Sequence, residues 1–182
     1  TMDTLKTFFE IEQDASLFEG LAISRHSNIC EKHQNKYPVV FISLKGAAGN
    51  SFEDAKARIR AIMSAEAIRH SYLKNSDKLE ETEKKYLLKL MNCILEPMDI
   101  TDSLAILTSL LCKHYNRKVI LLVDEYDVPL DKAFLNGYYN DMVGFIRTFL
   151  GGALKTNDNT EFAVVTGCLR ISKESIFTGL NN

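Results

Sequence analysis

Two spacings of apolar residues alternate along the chain. Met2, Leu5, Phe8 and Phe9 recur at helical spacing with Asp3 in the first turn, which predicts a helix over 2–9. Tyr37 to Leu44, Lys118 to Asp127 and Glu161 to Thr166 instead hold short, unbroken runs rich in Val and Ile. Runs of that length, apolar on both faces, predict strands buried between helices in a parallel sheet. Pro38 sits at the first position of its strand, where the missing N–H matters least.

Helical patterns fill the intervals. Asp14 to His33 predicts a short turn and a second helix ending near Asn35. Gly46 to Asn50 reads as a loop, and Ser51 with Asp54 three residues on is a capping signal for a helix reaching about Leu73. Lys78 to Leu95 predicts another helix, ended by Pro97, whose Glu80, Glu81, Glu83, Lys84 and Lys85 form a solvated face. Thr101 and Asp102 open the next, with Leu104, Leu107, Leu110 and Leu111 inward and Lys113 and His114 in its last turn. Val128-Pro129-Leu130 leads into a predicted loop, and Gly137 to Leu150 predicts a helix with Gly151-Gly152 near its end.

This alternation argues an α/β domain with a parallel sheet and crossover helices. Three strands are few for a complete sheet. The opening residues are already helical in character, so Thr1 reads as a cut inside a domain.

Composition adds bounds. The 182 residues, 46% hydrophobic and 25% charged, suit one soluble domain with a sizeable core. A net charge of −2 gives no nucleic-acid or membrane signal, and the longest apolar stretches are too short to span a bilayer. Cys30, Cys93, Cys112 and Cys168 are scattered without a C-x-x-C pair, which predicts reduced core or near-core thiols in a cytoplasmic protein. His26, His33, His70 and His114 never fall at i, i+4 with a second ligand, which argues against zinc.

Candidate chemistry collects at strand ends, where ligands bind in such sheets. Asp124 and Glu125 end the most apolar strand. A carboxylate there can hold a hydrated magnesium ion while its neighbour orients a water. By themselves the pair reads equally as a cap for the next helix. Thr166 and Arg170 lie just past another strand end, where a hydroxyl can meet a phosphate or water and an arginine can neutralise charge. Tyr126 between the acids reads as packing or as a base-stacking ring. No stretch matches G-x-x-x-x-G-K-[ST]. Gly151 to Thr156 has suitable residue types at the wrong spacing, after a helix instead of a strand.

Leu17-Phe18-Glu19-Gly20-Leu21-Ala22-Ile23, Tyr37-Pro38-Val39-Val40, Val123-Asp124-Glu125-Tyr126-Asp127-Val128-Pro129-Leu130 and Thr166 through Phe177 together resemble the bacterial AAA-ATPase-like family. Its members are similar to P-loop ATPases of the signal-transducing and archaeal type, with an additional-strand P-loop NTPase-like sheet. The resemblance implies Walker B carboxylates at Asp124, the magnesium side, and Glu125, the water-polarising base, with a sensor-like segment at Thr166 and Arg170. It also implies a strand–P-loop–helix unit before Thr1, so that 1–182 is an ATPase-like domain incomplete at its N-terminus, and ATP and Mg as ligands of the intact protein. Many members carry a C-terminal restriction-endonuclease-like nuclease domain, which would follow Asn182.

Lacking the glycine-rich loop, the 182-residue chain is expected to bind ATP weakly by itself. Strand edges left open predict self-association. A rival reading is a nucleotide-gated or degenerate regulatory scaffold controlling an attached effector such as a nuclease. An intact loop upstream would favour the enzyme and a degraded one the scaffold. A third is a magnesium-dependent phosphohydrolase using Asp124 and Asp127.

Overall fold

The computed structural model describes residues 2–94, 99–155 and 157–167. Among them three parallel strands, β1 (Val39–Ser43), β2 (Val119–Asp124) and β3 (Thr160–Val165), lie side by side in the order β1-β2-β3. The chain is therefore an α/β domain with crossover helices, as its alternating pattern predicts.

Strand alternation gives each face of β2 its own core. Leu121 and Val123 join Val40 and Ile42 of β1 beneath α3 (Phe52–Arg69), α4 (Glu81–Met91), α5 (Asp99–Tyr115), α6 (Val128–Leu135) and α7 (Tyr139–Leu154). On the opposite face Ile120, Leu122 and Val39 pack with Met2 and Tyr37, and Leu5 and Phe9 of α1 (Met2–Phe9) lie against them. All five apolar residues of β2 are fully buried, which is why this run carries no polar position until its end.

Helix starts follow local chemistry. Ser51 Oγ accepts the Asp54 N–H at 3.2 Å, and the Asp54 carboxylate takes the Asn50 N–H at 3.0 Å, so α3 begins where its capping pair predicts. Ala55, Ile59, Met63 and Ala67, four apart, form its buried stripe.

Several expectations give way. Asp14 to His33 holds two 3-10 turns, Ala15–Phe18 and Ala22–Arg25, before a single short helix, α2 (Ser27–His33). Val128-Pro129-Leu130 is helix, not loop: Pro129 sits in the first turn of α6, where its fixed φ and missing N–H suit a helix start. Gly151 and Gly152 lie near the end of α7 as expected, but the helix runs past Leu150 to Leu154 because its buried face, with Phe149, Leu150 and Ala153, stays packed into the core. β3 is not buried on both sides. Among the described residues it stands at the edge of the sheet, and Phe162 is 38% exposed. Cys93 is exposed, with φ of +57°, instead of lying in or near the core, whereas Cys30 and Cys112 are half-buried.

The two edges of the sheet differ. Along β1 the backbone is met by α3: Glu66 Oε1 accepts the Phe41 N–H at 2.8 Å, and Arg69 Nη2 donates to the Val39 carbonyl at 2.6 Å. Arg69 also bonds both Glu66 oxygens and Glu10, just past α1. Burial works to raise the Glu66 carboxyl, but His70 and Arg69 beside it override that and hold it down at about 2. Along β3 no described residue plays that part, and the strand pairs with β2 alone.

Candidate functional site

The carboxyl ends of β2 and β3 are staggered so that Thr166 reaches alongside Asp124. Val165 is in register with Val123, and Thr166 extends the ladder one step by donating its N–H to the Val123 carbonyl at 2.9 Å and accepting from the Tyr126 N–H at 3.0 Å. On the other side Ser43 of β1 is in register with Asp124.

The Thr166 hydroxyl then ties the two acids together. It donates to Asp124 Oδ1 at 2.5 Å and accepts the Glu125 N–H at 3.4 Å. Its one hydrogen is thus committed to the carboxylate. Glu125 itself has φ of +53°, a left-handed backbone that side chains other than glycine rarely take. Such outliers persist where the surroundings over-determine them, and they gather at functional sites.

Asp124, Glu125, Val164, Thr166 and Gly167 line one wall of a cleft of about 670 Å³, faced by Met2, Thr4 and Leu5 of the first turn of α1. α1 runs from this cleft back toward the start of β1, where Glu10 bridges to Tyr37. The cleft therefore opens beyond the strand ends, between a helix start and two carboxylates. This is where ligands sit in open α/β sheets.

Asp127 takes a different place. Its carbonyl accepts the N–H groups of Leu130 and Asp131 at 3.0 Å, starting α6, and it is 2% exposed. It does not line the cleft, which argues against a site made of Asp124 and Asp127. Gly167 lies over it: a Cβ there would stand 2.7 Å from Tyr126 Cε1 and 2.8 Å from Asp127 Cγ. Burial pushes the Tyr126 phenol up, helped by Asp127 and Tyr139.

The structure thus brings together Asp124, Glu125 and Thr166 from the sequence expectation, while Arg170 lies outside the described residues. Reasoning from the sequence missed the contributions of Gly167 and of the α1 turn. Gly167 carries a signal in hindsight, a glycine directly after a strand end. Among the described residues no cluster of three or more His, Cys, Asp or Glu could hold a metal ion, and no helix is long and apolar enough to cross a membrane. Asp124 and the threonine hydroxyl are hard oxygen donors, a set that suits magnesium only when waters and ligand phosphates complete the shell.

A model of the family described as Predicted AAA-ATPase matches residues 1–177. No curated protein and no solved structure matches the chain at a significant level.

Proposed function

The chain belongs to the AAA-ATPase-like family, and from that premise we propose that its cleft is the catalytic-carboxylate half of an ATP site, with β2 as the Walker B strand. The observation that supports this most is the Thr166 hydroxyl, which holds Asp124 and the Glu125 backbone on one wall of a cleft at the strand ends.

In this reading Asp124 holds the magnesium side through water, its Oδ1 oriented by Thr166. Glu125 accepts a proton from the water that attacks the terminal phosphate and aligns it. Magnesium, when bound with the nucleotide, would neutralise phosphate charge. Thr166 and Arg170 form the sensor-like segment. Because the Thr166 hydrogen points at Asp124, the residue reports on the phosphate through that carboxylate first, and Arg170 supplies positive charge to the developing transition state. The glycine-rich phosphate loop that such a site needs is not found in the 182 residues, so the intact site takes its phosphate cradle from elsewhere in the full protein.

The test is Glu125→Gln in the full-length protein. It should retain ATP binding while turnover falls by at least about a hundredfold, the usual contribution of a positioned base. Hydrolysis at the unaltered rate would overturn the assignment of Glu125. The 182-residue chain alone should show no micromolar ATP affinity by calorimetry.

A further inference from the structure

On its α1 face the sheet ends in a polar row. Phe41, Leu122 and Val164 stand side by side there, one from each strand, and pack with Met2 and Tyr37. Two residues further along each strand the side chains return to the same face. The next row is therefore Ser43, Asp124 and Thr166. Ser43 is in register with Asp124, and Thr166 donates its hydroxyl hydrogen to Asp124 Oδ1. Asp124 thus stands between two hydroxyls, and they are used differently. Thr166 is committed to Oδ1. Ser43 Oγ accepts the Lys45 N–H at 3.4 Å, where it caps the 3-10 turn Leu44–Ala47. A hydroxyl has two lone pairs, so Ser43 keeps one in reserve. Asp124 Oδ2 likewise accepts from none of the described residues.

We propose that Ser43 is a further positioning residue of the ATP site, holding one water of the magnesium shell together with Asp124 Oδ2. The inference rests on the nucleotide reading above. The Asp124 carboxylate meets Thr166 directly, and on the Ser43 side no direct bond forms. A water is the natural bridge between two polar groups held one strand apart. A metal-bound water turns its lone pair to the ion and has two hydrogens to give, and this row offers two acceptors for them, Ser43 Oγ and Asp124 Oδ2. Magnesium sheds its waters reluctantly, so a site for it is built largely by the groups that hold those waters. Such outer-shell partners set metal affinity although they never touch the ion.

Calorimetric ATP titrations of the full-length protein at stepped magnesium concentrations test it. The parent protein should bind ATP more tightly as magnesium rises. Ser43→Ala should need at least about tenfold more magnesium to reach half of that gain, the usual cost of losing an outer-shell partner. Its ATP affinity in EDTA should match the parent's. Ser43→Thr, which keeps the oxygen, should follow the parent throughout. A role confined to capping Leu44–Ala47 would lower the melting temperature of Ser43→Ala and leave its magnesium dependence untouched. That result would overturn the proposal, and so would an equal loss of affinity with and without magnesium. Asp124→Asn tells this proposal from the reading beneath it. If that variant keeps the parent's magnesium dependence, the assignment of Asp124 fails and Ser43 falls with it. If it loses the dependence and Ser43→Ala does not, Ser43 alone is overturned.

Discussion

Thr166 Oγ1 stands 2.5 Å from Asp124 Oδ1, joining the end of β3 to the end of β2 forty-two residues away in the chain. Removing the hydroxyl in Thr166→Val leaves a half-buried carboxylate oxygen and the Glu125 N–H without this partner. The expected cost is about 1–3 kcal/mol in thermal or denaturant unfolding. Under the proposed function, ATP turnover of the full protein should fall more than ATP affinity, and Thr166→Ser, which keeps the oxygen, should recover most of both. Equal stability of Thr166→Val and the parent chain would show that the bond contributes little.

The left-handed backbone of Glu125 predicts that glycine fits this position better than alanine. Glycine accepts φ of +53° freely and alanine does not. Glu125→Gly should therefore be about 1 kcal/mol more stable than Glu125→Ala, although both remove the carboxylate. Paired melting curves read the difference.

Close approach sets a third test. A Cβ at Gly49 would stand 2.4 Å from the Ala55 nitrogen, a backbone atom at the start of α3 that cannot step aside, whereas one at Gly46 meets nothing within 4 Å. Gly49→Ala should cost on the order of 2 kcal/mol or more, and Gly46→Ala less than about 1. The Gly49 carbonyl also accepts the Tyr138 hydroxyl at 2.6 Å, so the same change should loosen the turn between α6 and α7.

Acid should act through Glu66. Its carboxyl is held at about 2 in the folded chain against an ordinary value of 4.5. A lowered folded value means that the ionised form favours the fold. That contribution is complete above about 4.5 and is lost as pH falls through about 2. A Tm profile over this window should slope for the parent chain and flatten for Glu66→Gln. The variant should also be less stable at neutral pH, because Arg69 loses one of its two carboxylate partners, Glu10 being the other.

Much of this architecture is legible from residue order. The apolar run ending at Asp124, the helix over 2–9 and the Ser51 cap follow from patterns spanning a few residues, where local physics decides. What escapes the sequence depends on pairing across distance. Phe162 reads as core in its apolar run, yet only the sheet order shows that it stands at an edge. Val128-Pro129-Leu130 reads as leading into a loop, yet Pro129, one residue inside a helix start, favours the helix. At the site Asp124, Glu125 and Thr166 could each be picked out by position. The direction of the Thr166 hydrogen and the left-handed turn at Glu125 could not, because both arise from how two strands end against each other.

That turn governs whether the acidic pair can be transplanted. Neighbours on an ideal strand project to opposite faces, so Asp-Glu copied onto a regular strand of another sheet would send one acid to each side. Here the handedness of the chain reverses at Glu125, the residue after the strand, and both acids line one cleft. A graft would need to carry the kink and the threonine that braces it, and a one-residue insertion between the acids would break the motif while leaving its letters almost unchanged.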